Sequence, residues 1–416
     1  MRVAIVSEYF YPDSTGGSGT VLSKLVCQLK LSYPDWDIDV ITSNNLFRGG
    51  DGRLAARENW NGINIVRLNS PQPRKMSVKR RLAANLWFTS AAFVRLLKTS
   101  RRYDLVMVTT APPTLPLAAQ IWSFLSRKPY VYLIYDLYLD LALAMKIVDA
   151  GSRTVKTMRR AQTQWLHKAA KTIVLGRCMQ QHVAQTYALP AEKICVIPIP
   201  TDCIGVSPQS NQTQFRANHD MHGFVVLYAG NFAKYQDFKT LLDAAQQLVD
   251  NKAITFVFVG DGSRRNYIAE RIEHDQLTNV RLLPFVPEAQ LCDLLASADA
   301  SLVTLERGAE GLAVPSKFYN IMASGRPTIA VVDPNCEVGR VINETYCGVR
   351  VDPENATQLA QAIVDLASSP ERAREMGLNA RAACEERYTT ESVARQFSEV
   401  FQEVAELRAR PSTVPV

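Results

Sequence analysis

Short apolar segments alternate along the chain with longer segments whose apolar residues recur at helical spacing. In the first half, the segments typical of buried strands are RVAIVS, DVITS, INIVRL, LVMVTT and YVYLIYD. Helical patterns lie between them, at 20–30, in a basic segment before LVMVTT, and at about 116–126. Because parallel strands need crossover helices and are buried on both faces, this alternation predicts a parallel sheet covered by helices.

A polar stretch, SPQSNQTQFRANHDMHG, interrupts this pattern near the middle of the chain. The alternation then restarts with the strand-like segments FVVLYAGN, ITFVFVGDG, NVRLLPFV, ASLVTL and PTIAVV. Helical patterns follow at 237–249, 264–275, 288–296, 316–324, 355–367, 370–386 and 390–409. We therefore predict an α/β protein with two Rossmann-like domains, 1–203 and 204–390. Residues 391–416 would form a last helix, packed back on the first domain, and a polar tail.

Ligands of open α/β sheets bind beyond the carboxyl ends of the strands. Two such domains facing each other would therefore form a deep cleft between them, and functional residues should lie in loops that follow strands.

A glycine-rich loop follows the first strand-like segment. Gly16, Gly17 and Gly19 precede a helix that begins near Thr20, so that backbone N–H groups and a helix N-terminus meet at one place, as a diphosphate site requires. A plain connection explains a single glycine loop equally well. An NAD-binding loop fits poorly, because YFYPDST separates strand from glycines where a dinucleotide fold has a tight turn. In addition, Asp37 and Asp39 precede the second strand instead of ending it.

The basic segment KRRLAANLWFTSAAFVRLLKTSRR predicts an amphipathic helix, and no Asp or Glu occurs from Asn59 to Tyr103. Its apolar positions include Leu82, Leu86, Phe93 and Leu97, with Trp87 and Phe88 beside them. Such a helix suits an anionic membrane surface, for which the candidate residues are Lys79, Arg80, Arg81 and Trp87. A helix packed on the sheet with a solvated basic face is the equal alternative. No nucleic-acid-binding motif accompanies the basic residues.

Composition narrows the class of protein. The net charge is +7, and the apolar runs fall short of the roughly 20 residues that a membrane-spanning helix needs. The first residues enter a strand directly, so we expect no secretory signal. Eight scattered cysteines without a Cys-x-x-Cys pair indicate a reduced, cytoplasmic protein. His219 and His222 lack further ligands, and the D-x-D pattern at 35–39 indicates a turn, so we expect no metal.

Five motifs together resemble glycosyltransferase family 4, the retaining transferases with the GT-B fold. They are the G-G-x-G loop, YLIYD, V-G-D-G at 259–262, VPSK, and the MASGRP segment followed by CEVGRVINETYCGVRV. The resemblance extends over about residues 1–390. VPSK and the helix after it are most similar to the branch that makes O-antigen and exopolysaccharide (colanic-acid-type) repeat units.

The resemblance implies where a nucleotide-sugar donor binds. Pro315 and Ser316 would start a helix facing the donor pyrophosphate, with Lys317 adding charge and the first-domain glycine loop approaching from the other side. The donor-binding residues that it implies are Gly16, Gly17, Gly19, Asn231, Gly260, Asp261, Gly262, Arg264, Val286, Pro315, Ser316, Lys317 and Asn320. Asp261 between two glycines is also explained by a turn, and Lys317 by a surface position on the helix.

Two family patterns are altered in the second domain. The family's Arg and Lys after its first strand fall on Asn231 and Gln236, which makes Lys234 the candidate substitute for the missing charge. The acidic E-x7-E pattern falls on Leu312 and Asn320. Glu310 is then the candidate for the role near the transferred sugar, and Asn320 could hydrogen-bond a ribose hydroxyl.

The family's His-Asp pair is altered too. Tyr135 replaces the histidine, which leaves Asp136 as the candidate for contacting the sugar or acceptor. Helix capping by Asp136 and Asp140 is the alternative.

The resemblance implies a glycosyltransferase of the hexosyltransferase type, with no metal or other cofactor. It would act by front-face attack on a nucleotide-diphosphate sugar and pass the sugar to a sugar or a polyprenyl-diphosphate-linked sugar. Its place would be the cytoplasm, as a peripheral protein on the inner face of the plasma membrane. Two alternatives remain: a non-catalytic sugar-nucleotide-binding protein, and a GT-B nucleotide-sugar epimerase.

Overall fold

The computed structural model describes residues 1–12, 17–45, 53–71 and 78–409. The chain forms two compact units. The first contains Met1–Leu143, Val148–Pro198 and the chain from Thr390 onward, and the second contains Ala144–Ile147 and Ile199–Thr389. Each unit has its own sheet, as the repeated strand–helix alternation predicts.

The first unit contains an eight-stranded sheet in the order β3-β4-β2-β1-β5-β6-β7-β8. The strands are β1 (Arg2–Val6), β2 (Asp37–Ser43), β3 (Arg57–Trp60), β4 (Ile63–Leu68), β5 (Leu105–Thr109), β6 (Tyr130–Ile134), β7 (Lys171–Val174) and β8 (Ile194–Val196). Neighbouring strands are parallel except β3 and β4. Every residue of β5 and β6 is buried, which explains why their sequences are apolar throughout.

Helices cover both faces of this sheet. They are α1 (Ser18–Ser32), α2 (Val78–Lys98), α3 (Leu115–Ser126), α4 (Tyr138–Ala144), α5 (Arg153–Lys168) and α6 (Arg177–Tyr187), with the C-terminal α15 (Thr390–Ala409). The crossovers that contain α2, α3 and α5 all lead in the same direction along the strand order, whereas the crossover that contains α1 leads in the opposite direction. Because such crossovers are right-handed, α2, α3 and α5 lie together on one face of the sheet. On the other face α15 packs on α1, where the Tyr33 and Ser398 hydroxyls lie 2.6 Å apart.

The second unit contains a wholly parallel six-stranded sheet in the order β11-β10-β9-β12-β13-β14. Its strands are β9 (Phe224–Asn231), β10 (Ile254–Asp261), β11 (Val280–Leu283), β12 (Ala300–Thr304), β13 (Thr328–Val331) and β14 (Gly348–Val351). Its helices are α7 (Gln214–Asn218), α8 (Phe238–Gln247), α9 (Arg265–His274), α10 (Leu291–Ala296), α11 (Lys317–Ala323), α12 (Glu337–Thr345), α13 (Ala356–Ala367) and α14 (Pro370–Arg387). The predicted helix at 288–296 is divided, since Glu288–Gln290 forms a separate 3₁₀ turn.

An aromatic cluster fills the core of the second unit beneath the β9 loop. Tyr228, Phe232, Phe238 and Phe258 are all fully buried, and their ring centroids lie between 4.9 and 6.3 Å apart. Burying such rings contributes about 1.5–3 kcal/mol each, so the cluster fixes the segment that follows β9. No helix in the described part of the chain is long and apolar enough to cross a membrane.

The packing of α15 on the first unit can be tested at Phe401, which is buried with its ring 6.3 Å from Trp36 and 6.1 Å from Phe397. We expect Phe401→Ala to lower the free energy of unfolding by about 3–5 kcal/mol, because it leaves a cavity where α15 packs on Trp36. The exposed neighbour Gln402 provides the control, and Gln402→Ala should change it by less than about 0.5 kcal/mol. Urea denaturation of both variants measures the difference, and equal midpoints would contradict this packing.

Candidate functional site

The carboxyl ends of β9 and β10 and the residues that follow them approach each other so closely that glycines are required. A Cβ added to Gly260, which has φ 156°, would lie 1.9 Å from the carbonyl oxygen of Gly230. A Cβ on Gly262, with φ 151°, would lie 2.5 Å from the carbonyl oxygen of Phe232. The glycines of the V-G-D-G motif therefore join the two loops at the carboxyl edge of the sheet.

Lys317, the first residue of α11, brings its side chain to the same place. Its Nζ lies 3.5 Å from the centroid of the Tyr228 ring, and a Cβ on Gly230 would lie 3.2 Å from that Nζ. The nitrogen is buried, and the described residues give it no hydrogen-bond acceptor. Burial lowers the pKa of Lys317 well below its ordinary value. The surface position that the sequence left open for Lys317 is therefore wrong.

A desolvated ammonium without an acceptor is unfavourable. Removing such a group from water costs several kcal/mol, whereas a cation over an aromatic face gains only about 0.5–2 kcal/mol. An anion that reached Lys317 would supply the missing acceptors and would restore the charged form. The arrangement is therefore suited to bind an anion such as a phosphate group.

Gln236 holds the aromatic platform under Lys317. Its Oε1 accepts hydrogen bonds from the Tyr228 hydroxyl and from the backbone N–H of Ala233, the latter at 3.1 Å. Gln236 is buried, whereas Asn231 and Lys234 on the same loop are exposed. At the position where the family has a lysine, this chain thus has a side chain that shapes the loop and carries no charge.

The segment between β12 and α11 contains Glu310 and Leu312, and α11 itself contains Asn320. Glu310 is half-buried, and its Oε2 accepts from the backbone N–H of Gly308 at 2.7 Å. Leu312 is buried. Asn320 is also half-buried, and its Oδ1 accepts from the Thr201 hydroxyl at 2.7 Å, so that oxygen is already engaged.

The remaining donor-side residues have simpler surroundings. Asp261 is the last residue of β10, and its Oδ1 accepts from the backbone N–H of Gly262 at 2.8 Å. Val286 is half-buried in the loop after β11. Pro315 and Ser316 precede α11, and the Ser316 side chain makes no capping hydrogen bond.

A cavity of about 480 Å³ opens at the carboxyl ends of β9, β10, β12 and β14, and carboxylates dominate its charge. Its lining residues are Asp237, Phe238, Lys239, Thr240, Arg264, Tyr267, Glu306 and Glu354. Arg264 lies 3.9 Å from Glu306 and 5.3 Å from the centre of the Tyr267 ring. Burial raises the pKa of Glu306, as do Asp237 and Glu354, while Arg264 opposes the rise.

The Asp237 oxygens already accept from Thr240 and from the backbone N–H of Glu354. The carboxylates of Glu306 and Glu354 can accept from sugar hydroxyls, and the excess of carboxylates over cations disfavours a diphosphate. Sequence reasoning identified only Arg264 in this cavity. The carboxylates were missed because they come from three separate loops, and each alone looks like a solvated residue.

Two carboxylates lie at the carboxyl edge of the first sheet. Asp136 follows β6 and is half-buried, and burial raises its pKa to about 6. Glu8 follows β1 and is buried, which raises its pKa against the opposing effects of Tyr9 and Arg81. The backbone N–H of Glu8 donates to Ala111 in the loop after β5, the strand that lies between β1 and β6. Sequence reasoning missed Glu8, although a lone acid directly after a buried strand was the available signal.

Asp140 has a packing role instead of a capping role. Its carboxylate is buried, accepts from the Tyr187 hydroxyl at 2.5 Å and lies 3.5 Å from Arg159 and 3.6 Å from His182. The capping alternative for Asp140 is therefore wrong, because its oxygens bind side chains of α5 and α6.

The glycine loop before α1 is partly described. Gly17 adopts φ 88° directly before the helix, a conformation that favours glycine. A Cβ on Gly19 would lie 3.1 Å from the Cβ of Tyr9, so Gly19 allows α1 to pack closely on the preceding segment. Gly16 lies outside the described residues.

The basic helix α2 exposes only part of what the sequence suggested. Arg80, Arg81 and Trp87 are exposed, and the Trp87 Nε1 donates to the Asn69 carbonyl at 2.9 Å. Phe88, the residue after Trp87, is fully buried because it faces the sheet. The side chain of Lys79 lies outside the described part of the chain.

Comparison with known proteins agrees with this architecture. The model for glycosyl transferases group 1 matches residues 209–383, and the model for a glycosyl transferase 4-like domain matches residues 16–200. The chain belongs to the family 4 type of glycosyltransferase. It is therefore a transferase, and the resemblance drawn from its motifs is confirmed.

Named relatives and solved structures support the same assignment. The chain is 27% identical to the probable glycosyltransferase WbjE of Pseudomonas aeruginosa, over 71% of this chain and 74% of that protein. It is 25% identical to the putative colanic acid biosynthesis glycosyl transferase WcaI of Escherichia coli, over 88% of each.

Two solved structures show that the fold is GT-B. Sucrose-phosphate synthase from Thermosynechococcus elongatus has a TM-score of 0.77 at 18% identity, over 98% of this chain and 99% of that one. HepE of Anabaena, crystallised with UDP and glucose, has a TM-score of 0.72 at 18% identity, over 97% and 100%.

The unpaired ammonium predicts an unusual effect of substitution. We expect Lys317→Met to raise the free energy of unfolding of the ligand-free protein by about 1–3 kcal/mol, because it removes a buried polar group without an acceptor. Since the folded-state pKa is lowered, wild-type stability should rise with pH up to the ordinary lysine pKa of about 10.4, and the advantage of the variant should shrink accordingly.

Urea denaturation between neutral and alkaline pH measures this effect. Lys252→Met, at an exposed lysine of the same unit, should leave stability within about 0.5 kcal/mol at every pH. A Lys317→Met protein that is less stable than wild type at neutral pH would contradict the assigned environment.

The two aspartates around α4 should respond in opposite ways to loss of charge. Because the pKa of Asp136 is raised, the folded state binds a proton at this carboxylate more tightly than the unfolded state does. The ionised Asp136 therefore lowers the free energy of unfolding above about pH 6, and this effect is absent below about pH 4. We expect Asp136→Asn to stabilise the protein at pH 8 by about 1–3 kcal/mol. Asp140→Asn should destabilise it by about 1.5–3 kcal/mol, because Asp140 has partners. Thermal unfolding of both variants at several pH values tests this contrast. Equal shifts in the melting temperatures of the two variants would refute it.

Proposed function

We propose that this glycosyltransferase moves a sugar from a nucleotide-diphosphate donor to a sugar or lipid-linked sugar in polysaccharide or glycolipid biosynthesis. The buried, acceptor-free Lys317 ammonium carries the proposal, because a donor diphosphate supplies the anionic oxygens that it lacks. The similarity to WcaI, named for colanic acid biosynthesis, supports the biosynthetic setting. The structure of HepE with UDP makes UDP the first donor nucleotide to test.

The second unit would bind the donor. Its diphosphate would lie against Lys317 at the carboxyl edge of the sheet, where the lysine side chain passes the bare backbone of Gly230. The carboxylate-lined cavity offers acceptors for hydroxyl groups of the donor. Glu310 would act near the transferred sugar, and Lys234 would supply the positive charge that the family has on its Arg and Lys after this strand.

We propose that transfer retains the anomeric configuration by attack on the front face of the sugar. The bond from the anomeric carbon to the diphosphate oxygen breaks, the bond to the acceptor oxygen forms, and the acceptor proton passes to the leaving diphosphate. Lys317 would stabilise the negative charge that develops on the diphosphate. Since a protein cation supplies this charge, the proposal needs no metal or other cofactor.

The first unit would receive the acceptor. Asp136, at the carboxyl end of β6, would use its ionised carboxylate to accept a hydrogen bond from an acceptor hydroxyl. The buried Glu8 and the Gly17–Gly19 loop lie close to each other in sequence in the same unit. A polyprenyl-diphosphate-linked acceptor would place the protein at the inner face of the plasma membrane as a peripheral protein.

A non-catalytic sugar-nucleotide-binding protein is the second candidate. It is favoured by Leu312 and Asn320, which occupy the two positions where the family has acids, and Leu312 is buried and apolar. This candidate would bind the same donor through Lys317 and would release no nucleoside diphosphate.

The test combines binding and turnover. UDP, GDP, ADP and their sugar conjugates are screened by thermal shift with wild type, Lys317→Glu and Gly17→Asp. A saturating donor nucleotide should stabilise wild type, by about 2.7 kcal/mol at one hundred times its Kd, and should have no effect on Lys317→Glu. Release of nucleoside diphosphate in the presence of sugar acceptors then distinguishes the enzyme from the binding protein. The absence of a shift with every nucleotide would contradict the proposed function.

A further inference from the structure

The helices α2, α3 and α5 form one layer on a single face of the first unit, and none of them contains an Asp or Glu. The Thr89 hydroxyl of α2 lies 2.7 Å from the Thr114 hydroxyl at the start of α3, and α3 in turn contacts α5. Five basic residues occur on α2, none on α3, and five on α5. An uncharged central helix thus lies between two basic ones.

The outward face of α3 is apolar. Leu115, Ala118, Ala119 and Trp122 are buried against the sheet, which leaves the opposite face to solvent. The exposed residues on that face are Leu117, Ile121, Phe124 and Leu125, with Phe124 82% and Leu125 57% exposed. A surface helix of a globular protein normally has polar residues there, and a helix apolar all round is normally covered.

The neighbouring helix α2 repeats this arrangement. Its buried positions Ala84, Phe88, Ala92 and Leu96 recur every four residues along the face that packs on the sheet. Two residues along an α-helix turn it by about 200°, so Leu82, Leu86 and Val94 lie on the opposite face. All three are exposed, Leu82 by 51%, and Trp87 is 59% exposed beside them.

The third helix adds charge on the other side of α3. Arg153, Lys156 and Arg160 of α5 are exposed, as is Met158 among them. Arg159 pairs with the buried Asp140, while the described residues form no ion pair with Lys156 or Arg160. Exposed cations therefore flank the apolar face of α3 on both sides, Arg80 and Arg81 from α2 and Arg153, Lys156 and Arg160 from α5.

We propose that the exposed faces of α2, α3 and α5 together form the surface by which the protein binds an anionic phospholipid bilayer. The apolar side chains of α3 and α2 would enter the region between headgroups and acyl chains, and the cations on both sides would bind lipid phosphates. The charge pattern favours this partner, since the three helices contain no acid and the exposed cations Arg80, Arg153, Lys156 and Arg160 complement an anionic surface. The inference rests on the proposed function in that a lipid-linked acceptor requires the enzyme at the membrane.

The experiment measures co-sedimentation of the full chain with vesicles, either of neutral phospholipid alone or with about one third anionic phospholipid. Wild type should bind the anionic vesicles at least about tenfold more strongly than the neutral ones. Phe124→Ser combined with Leu125→Ser should weaken binding about tenfold, through lost apolar burial. Lys156→Glu combined with Arg160→Glu should weaken it about a hundredfold, through reversed charge.

Matched controls change the same residue types elsewhere. Leu31→Ser alters an exposed leucine of α1, on the opposite face of the sheet, and should leave vesicle binding unchanged. Arg372→Glu combined with Arg374→Glu alters exposed arginines of α14 in the second unit and should also leave it unchanged. Circular dichroism confirms that each variant is folded.

Three results would overturn the proposal. The first is wild type that stays in solution with anionic vesicles, and the second is a loss of binding by the controls as large as that of the α3 and α5 variants. The third is a lipid-free homodimer of wild type that dissociates when Phe124→Ser is combined with Leu125→Ser. The last would assign the surface to a second copy of the chain. Nucleotide thermal shifts on the same proteins report donor binding alone, so failure of the proposed function is distinguished from failure of the membrane surface.

Discussion

The structure of the candidate donor site depends on one unfavourable arrangement, an ammonium group held under the protein surface without a hydrogen-bond acceptor. The Lys317 Nζ lies over the Tyr228 ring, whose hydroxyl is fixed by Gln236, and the bare backbone of Gly230 leaves room for the lysine side chain. These neighbours leave room for the aliphatic part of the lysine side chain, and none of them carries a negative charge that would neutralise the ammonium group. A folded protein keeps such a group only when the surrounding packing over-determines it, as is common at ligand-binding sites.

The two units distribute charge in different ways. The second unit has the buried Lys317 ammonium and the cavity carboxylates around Glu306 at its sheet edge, where small ligands of open sheets bind. The first unit carries its positive charge on an outer helix layer, far in sequence from Lys317, and has the raised-pKa carboxylates Glu8 and Asp136 at its own sheet edge. Substitutions at the second sheet edge, at the first sheet edge and on the outer helix layer can therefore test the proposed donor, acceptor and membrane roles separately.

Much of the fold was predictable because buried parallel strands have continuous apolar sequences that alternate with helices. The segments LVMVTT and YVYLIYD identified β5 and β6 directly. The edge strand β3 was missed, since RENW is mostly polar and pairs on one side only, with β4.

Site residues were harder to predict, because their properties depend on packing. VPSK identified Lys317 by resemblance, but nothing in its sequence shows that Tyr228, almost ninety residues earlier, lies beneath its amine. Gln236 looked like a lost catalytic charge, and the structure gives it a positioning role under the same ring. Phe88 and Trp87 are adjacent in sequence, yet Phe88 is buried and Trp87 is exposed, because they lie on different sides of α2.

The most direct test of the central claim is the pKa of Lys317 itself, measured by NMR titration of the lysine Cε resonances in ¹³C-lysine-labelled protein. The Lys317 resonance is identified by its absence in Lys317→Met. The account predicts a pKa well below the ordinary lysine value of about 10.4 in the free protein, and a rise when UDP binds, because the diphosphate favours the charged form. A Lys317 that titrates with the solvent-exposed lysines, and does so identically with and without UDP, would contradict it.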